Sequence, residues 1–447
     1  MRNNQKSSAQ KRPLTDNARS VALETLIKCE SSGQYSNIAL DNALKKSELS
    51  DSDKGLASAL FYGVIERRIT LDYYISKLSA RPLCEIDERT RETVRLGLYQ
   101  LIYLDRVPDH AAINETVALC TAKTKGFVNA LLRSYTREKG TQKLALPDAS
   151  EGVVRYLSVK YSVGERLAEK FVEIFGEERC ESIFASLCDV AGTTLRTNTL
   201  KISRDELCEK LGAEKTRYSV TGVSTSGKVA SLYGFDEGLF FVQDEASQIC
   251  TAALGAKSGE CVIDTCSCPG SKSFGAAIDM NNEGKVYSFD LHANKLSLVE
   301  SSAKRLGIGI IETEERDGRK PREELLGKAD RVLCDVPCSG FGVLGKKPEL
   351  RYKDPAASAA LPDIQLAILE ASSNYVKNGG VLVYSTCTVL PEENEKNIER
   401  FLASHKEFEL CGFEVGELDC PEGMITLLPD EHGTDGFFVA KMVKKNL

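Results

Sequence analysis

Cys261-Val262-Ile263-Asp264-Thr265-Cys266-Ser267-Cys268-Pro269-Gly270-Ser271-Lys272-Ser273 is the stretch whose reading decides the fold. A short apolar run ends on an acid and passes into a turn of small residues ahead of a helical pattern, so a strand, a tight turn and a helix N-terminus succeed one another. Small side chains let a ligand approach the backbone, and the first turn of a helix presents free N–H groups. A plain strand-to-helix turn would also account for the pattern. No G-x-G-x-x-G triplet is present here, which disfavours a nicotinamide cofactor.

Working outward, the runs Val286 to Asp290, Ile308 to Glu312, Arg331 to Asp335, Val381 to Ser385 and Phe437 to Val443 alternate with helical stretches. Strands separated by helices imply a mainly parallel, doubly wound sheet, with ligands beyond the carboxyl ends of its strands. Asp290 ends the second strand, where an acid commonly takes two ribose hydroxyls as donors and so implies a nucleoside-containing ligand. It could equally cap the next helix. Asp317 follows the third strand and could accept from the exocyclic amine of an adenine, or be a loop residue. The fourth and fifth strands end in Asp335-Val336-Pro337-Cys338-Ser339-Gly340 and Tyr384-Ser385-Thr386-Cys387-Thr388. Two thiols therefore arise at neighbouring strand ends. A thiolate is the side chain best suited to attack an electron-poor carbon near neutral pH; a redox pair and buried structural cysteines remain the alternatives.

The chain has 447 residues, room for three domains at about 150 each. Residues 1–17, with Arg2, Lys6, Lys11 and Arg12, read as a flexible basic head without the apolar segment of a secretory signal. Over 18–140 the apolar residues fall at helical spacing, as in Ala18, Val21, Ala22 and Leu26 and again in Val94, Leu98, Leu101 and Ile102, which predicts an all-α bundle. Its Arg67, Arg68, Arg89, Arg91, Arg95, Arg133 and Arg137 are clustered, either as an RNA-facing surface or as solvated helix faces. After the polar linker Lys139 to Gly152, residues 150–240 read as a small α+β unit. Thr194 to Leu200 is its strand, and Ser203 with Glu206 forms a capping box. The doubly wound domain fills 241–447.

Fifteen cysteines, an odd number, in a chain without an export signal make a disulfide framework improbable and place the protein in the cytosol. Their spacing completes no tetrahedral set, so no metal is expected. No apolar run approaches the ~20 residues that cross a bilayer. The net charge of -7 decides little about a nucleic-acid partner, because a local patch matters more than the sum.

D-x-C-x-x-P-G-x-K, D-x-P-C-S-G and S-T-C, in this order, resemble the signature segments of the S-adenosylmethionine-dependent RNA cytosine-5 methyltransferases. The helical third resembles the NusB-like RNA-binding domain of the RsmB (Sun, Fmu) branch, which acts on small-subunit ribosomal RNA. The resemblance covers the chain beyond the first ~15 residues and implies three parts: an all-α NusB-like N-terminal domain, a small α+β RNA-binding adaptor and a Rossmann-like class I methyltransferase domain. It implies that Cys266, Ser267, Cys268, Pro269, Gly270, Ser271 and Lys272 bind the methionine side of S-adenosylmethionine, Asp290 its ribose and Asp317 its adenine. By the same resemblance Asp335 contacts the target cytosine near the cofactor, Cys387 is the nucleophile, and Cys338 assists product release. Gln243 to Ser247 and Gly433 to Phe438 match further family segments. Leu195-Arg196-Thr197-Asn198 matches the start of the middle unit, making Arg196 and Asn198 candidate RNA contacts.

The family's cofactor loop usually reads Ala-Ala-Pro-Gly-Gly-Lys-Thr. Ser271 replacing glycine is expected to be strained by about 1 kcal/mol or more if that position needs a positive φ. The implied chemistry is addition of Cys387 to carbon 6 of cytosine, methylation at carbon 5, loss of the carbon-5 proton and expulsion of Cys387. Asp335 would activate the ring at N3 if it carried a proton. Lys346, Lys347 and Arg351 could hold phosphate and Tyr352 stack on a base, or form an ordinary basic surface loop. The expected partner is small-subunit rRNA, at cytidine 967 in the usual numbering, bound by a monomer. Another rRNA or tRNA cytidine is the nearest alternative. A non-catalytic ribosome-assembly or antitermination factor and a nicotinamide oxidoreductase are the competing classes.

Overall fold

A computed structural model describes residues 17–32, 36–188, 192–227 and 229–446. Nearly all of the expected basic head, residues 1–16, lies outside these. The described chain divides into two compact units, one running up to Val172 and including Arg351–Lys353, the other comprising Glu173–Leu350 and Asp354 onward. The division at 172 falls inside the stretch 150–240 assigned from sequence to the adaptor.

The first unit is all-α. Its helices are α1 (Ala18–Ser32), α2 (Ser36–Lys46), α3 (Asp51–Glu66), α4 (Arg68–Leu78), α5 (Glu88–Tyr103), α6 (Asp109–Ala118), α7 (Lys125–Glu138), α8 (Val153–Tyr161) and the first turns of α9 (Glu165–Phe175). Helical spacing puts Ala22, Leu26, Val94, Leu98, Leu101, Val128 and Leu131 into one core with Leu60 and Phe61. Several clustered arginines turn out to be structural: Arg91 pairs with Glu30, Arg89 with Glu24, and Arg95 is buried against both oxygens of Asp72 and against Glu92.

The second unit opens with α10 (Glu177–Ser186) and a small antiparallel sheet of β1 (Thr193–Thr197), β2 (Glu214–Lys215), β3 (Gly222–Thr225) and β4 (Phe240–Val242), in the order β2-β3-β1-β4. Between its strands, α11 (Arg204–Leu211) begins with the full Ser203–Glu206 capping box.

The main sheet follows, built from β5 (Cys261–Asp264), β6 (Lys285–Asp290), β7 (Ile311–Glu315), β8 (Ala329–Asp335), β9 (Val376–Thr386), β10 (Phe408–Leu410), β13 (Met424–Leu427) and β14 (Phe437–Lys444). A hairpin of β11 (Phe413–Val415) and β12 (Leu418–Cys420) stands apart from it. The strand order is β10-β14-β9-β8-β5-β6-β7, with β13 also on β14; β5 to β9 are parallel, whereas β10, β13 and β14 pair antiparallel. Alternate side chains point to opposite faces. Val262, Leu333 and Val383 thus join α12 (Glu245–Leu254), α13 (Ser271–Asp279) and α14 (Ala293–Leu306) in one core, while Ile263, Val332 and Leu382 join α15 (Leu361–Ser373) and α16 (Glu395–Ser404) in the other. A short α17 (Pro429–His432) precedes β14. From β5 the chain winds outward through β6 and β7 and then returns to β8 on the other side. The crevice at the carboxyl ends of β5 and β8 is thereby the place where a doubly wound sheet binds ligands.

Candidate active site

Asp264 ends β5 almost wholly buried, at 1% exposure. Its Oδ2 accepts from the Ser273 hydroxyl at 2.6 Å, and burial pushes its carboxyl up to about 7. Above it the 265–270 turn is held by backbone bonds: Ser267 N–H donates to Phe289 O (2.8 Å), Gly270 N–H to Ser267 O (2.6 Å), and Cys268 N–H to the Asp290 carboxylate (3.2 Å). Asp290 also accepts from His292 N–H at 3.0 Å, which fixes both of its oxygens at the mouth of the crevice. The strain expected at Ser271 does not arise. The left-handed residue is Gly270, at φ 105°, where a Cβ would lie 2.5 Å from the Phe274 ring, and Ser271 opens α13 in ordinary helical geometry. Ser267 Oγ is buried without a hydrogen-bond partner. A backbone cradle with an unused hydroxyl between two acids suits a small polar ligand carrying a positive charge. Asp317, after β7, is occupied by Arg319, which donates to both carboxylate oxygens and holds the carboxyl down to about 2.

The other half of the crevice carries the thiols. Lys272, nearly buried, donates to Asp335 Oδ2 at 2.7 Å, and Ser385 Oγ donates to Asp335 Oδ1 at 2.6 Å. Although burial works against it, the Asp335 carboxylate raises the affinity of Lys272 for its proton. Both Asp335 oxygens are thus engaged as acceptors, one from Lys272 and the other from Ser385.

Cys338 and Cys387 are both reduced, with their Sγ atoms 3.0 Å apart. The Cys338 thiol donates to Cys387, holding Cys387 below its usual range, with the charges of Lys347 and Lys272 assisting. Cys338, hydrogen-bonded to Cys387 and desolvated, is pushed well above its own. The pair is thereby made unequal: Cys387 gives up its proton more readily than an ordinary thiol, and Cys338 holds its own more firmly.

Glycines set this proximity. Gly342 N–H donates to Cys387 O at 3.0 Å, Gly436 N–H to Gly342 O at 2.8 Å, and a Cβ on Gly342 would collide with the Gly436 carbonyl. Only glycine lets the loop after β8 lie so close to the ends of β9 and β14.

Several residues expected at an RNA surface are elsewhere. Arg196 is 2% exposed, its guanidinium paired with Asp279 at 2.7 Å. Asn198 is fully buried and donates to the Gly238 and Leu306 carbonyls. Both knit the small sheet to the domain that follows, so neither can reach RNA. Arg351, 1% exposed, donates to Glu66 O within the first unit, and Tyr352 beside it lies 4.0 Å under the Arg68 guanidinium and hydrogen-bonds Ser162. These are packing residues and not phosphate or base contacts. Lys346 bridges Asp244 and Asp435. Lys347 alone of that set is an exposed cation whose charge reaches the thiols.

Sequence reasoning missed Glu393, whose carboxylate is 1% exposed. Its Oε2 accepts from Ser339 N–H at 3.0 Å and from Gln365 Nε2 at 2.7 Å. The signal available was an acidic pair, Glu392-Glu393, six residues after the second thiol.

A Rossmann-like sheet with this crevice, joined to a NusB-like helical domain, defines a methyltransferase. Residues 251–443 match the family model described as 16S rRNA methyltransferase RsmB/F, and residues 16–137 match the NusB family. The chain is 39% identical to the "Probable ribosomal RNA small subunit methyltransferase B" of Bacillus subtilis, over 96% of this chain and 98% of that protein. It is 34% identical to ribosomal RNA small subunit methyltransferase B of Escherichia fergusonii, over 96% and 99%. The crystal structure of PH0851 superposes with TM-score 0.77 at 27% identity, over 97% of this chain and all of that one. The chain belongs to the ribosomal RNA small subunit methyltransferase B family. No helix among the described residues is long and apolar enough to cross a membrane.

Proposed function

We propose that this protein methylates carbon 5 of a cytosine in small-subunit ribosomal RNA, at cytidine 967, using S-adenosylmethionine and a covalent Cys387 adduct. The observation that carries this reading is the thiol pair, with the Cys338 and Cys387 Sγ atoms 3.0 Å apart beside the Asp335–Lys272 ion pair. Bound S-adenosylmethionine would supply an electrophilic methyl group on its sulfonium. The residues that would hold it are the Cys266 to Lys272 turn with its open Ser267 hydroxyl, Asp290 for the ribose and, once Arg319 gives way, Asp317 for the adenine.

Carbon 5 of cytosine is a poor nucleophile until a group adds at carbon 6. Cys387 forms the S–C6 bond as a thiolate, and the displaced electron pair moves onto carbon 5 and N3. Asp335 accepts from the exocyclic amine, which a uracil lacks, so the same carboxylate selects cytosine and holds its ring in place. The Lys272 ammonium offsets the negative charge that develops nearby. After carbon 5 has taken the methyl group, the C5–H bond breaks with its proton leaving by way of Cys338 or a water beside it, the C5=C6 bond re-forms and Cys387 leaves with its electron pair. Lys347 would hold a backbone phosphate of the unstacked nucleotide. The reading needs one copy of the chain, working in the cytoplasm without a metal.

Incubation with methyl-labelled S-adenosylmethionine and small-subunit rRNA, followed by digestion to nucleosides, tests it. Label in 5-methylcytidine is the expected result, and bisulfite mapping should place it at position 967. Label in another nucleoside, or none, overturns the chemistry.

A further inference from the structure

Adduct formation leaves a proton problem that the thiol pair does not solve by itself. In the resting site the Cys338 proton is shared with Cys387. Once Cys387 is bonded to carbon 6 it is no longer a thiolate acceptor, yet release requires Cys338 to take up the carbon-5 proton while still holding its own. A second acceptor is needed beside Cys338.

Glu393 supplies one. Its Oε2 is fixed by Ser339 N–H, the residue after Cys338, and by Gln365, whose Nε2 also donates to Pro337 O, the residue before it. The backbone is fixed as well, Glu393 O accepting from the Tyr384 hydroxyl at 2.6 Å. Oε1, by contrast, is buried with no hydrogen-bond partner. A buried carboxylate oxygen left open is costly, and such exceptions mark strain or function. Among the described residues no cation pairs with this carboxylate, and its charge acts on the Cys338 thiol.

We propose that Glu393 is the acceptor that drains the carbon-5 proton through Cys338; this rests on the reading given under Proposed function. As the C5–H bond breaks, that proton passes to Cys338 Sγ while the original Cys338 proton is relayed through a water to the open Oε1 of Glu393, which makes no direct hydrogen bond to the thiol. The C–H pair becomes the C5=C6 bond, Cys387 departs as thiolate, and Glu393 afterwards gives its proton to bulk water. One proton leaves C5 and one reaches solvent, and both thiols return to their starting states. Glu393 acts through Cys338 and is a positioning residue for the base.

Glu393→Gln keeps the shape and the acceptor for Ser339 N–H but not the basicity. With RNA tritiated at cytosine carbon 5, it should methylate in a single turnover, accumulate a methylated protein–RNA adduct on a denaturing gel, and release tritium roughly a hundredfold more slowly than wild type, the scale of one proton-transfer group. Gln365→Met, which loosens the hold on Glu393 and Pro337 but keeps the carboxylate, should release tritium faster than Glu393→Gln. Wild-type release by Glu393→Gln, or loss of its first methyl transfer, overturns the proposal, as does equal slowing in the two variants, which would make the network structural. Failure of the wild type to methylate would instead overturn the underlying function.

Discussion

The two halves of the crevice are built on different principles. Around Cys266 to Ser271 the shape is made by the main chain: backbone N–H groups, a left-handed Gly270 and side chains that only have to be small. Around Cys338 and Cys387 it is made by named side-chain atoms, with Lys272 on Asp335, Ser385 on Asp335 and one thiol on the other. A backbone-made site tolerates substitution within a size class, which is why serines and a cysteine can stand where the family has alanine, glycine and threonine. A side-chain-made site does not, and there the motif residues are unchanged.

If this contrast is right, single substitutions should differ sharply in effect between the halves. The largest loss belongs to Cys387→Ala, which should abolish methyl transfer and adduct while leaving S-adenosylmethionine binding within a few-fold by calorimetry. Next comes Asp335→Leu, which strands the nearly buried Lys272 ammonium. Unfolding in denaturant should show a loss of about 3 kcal/mol, along with loss of activity on RNA.

Cys338→Ala should be subtler. With its donor gone, Cys387 loses the hydrogen bond that lowers its pKa, so its iodoacetamide alkylation at neutral pH should slow and the midpoint of the rate–pH profile should move up; an unmoved midpoint would mean that Cys338 does not set the thiolate. The smallest effect belongs to the backbone-made half. Ser271→Gly restores the family residue at a position that does not need it, so affinity for S-adenosylmethionine should change by less than about threefold. A large gain there would mean that the cradle is strained after all.

The same contrast governs how much could be read in the sequence. The strands β5, β6, β8, β9 and β14 were legible because a continuous apolar run bounded by turn residues has few other readings. β7 lies at Ile311–Glu315, displaced from the expected Ile308 to Glu312, because its alternating Ile-Glu-Thr-Glu-Glu pattern carries little apolar signal. The short β10 and β13, antiparallel additions beside β14, show no periodicity of their own. At the site, Cys338, Cys387 and Asp335 stood out because each ends or closely follows a strand. What failed, Lys347 apart, was the inference that a polar or charged residue in these motifs is exposed. Arg196, Asn198 and Arg351 look like RNA contacts until the elements that cover them are known, and the partners that bury them lie from 40 to 285 residues away in sequence. Glu393 carried only the weak signal of an acidic pair for the same reason, since its partner Ser339 is 54 residues distant.

In the proposed chemistry the two thiols divide the labour, Cys387 bonding to the base and Cys338 releasing it. Wild type, Cys387→Ala and Cys338→Ala, each mixed with S-adenosylmethionine and small-subunit rRNA and run on a denaturing gel, test it most directly. An adduct that accumulates with Cys338→Ala and is absent with Cys387→Ala is the predicted result. An adduct that persists in Cys387→Ala, or none in any variant while the wild type still methylates, would contradict it.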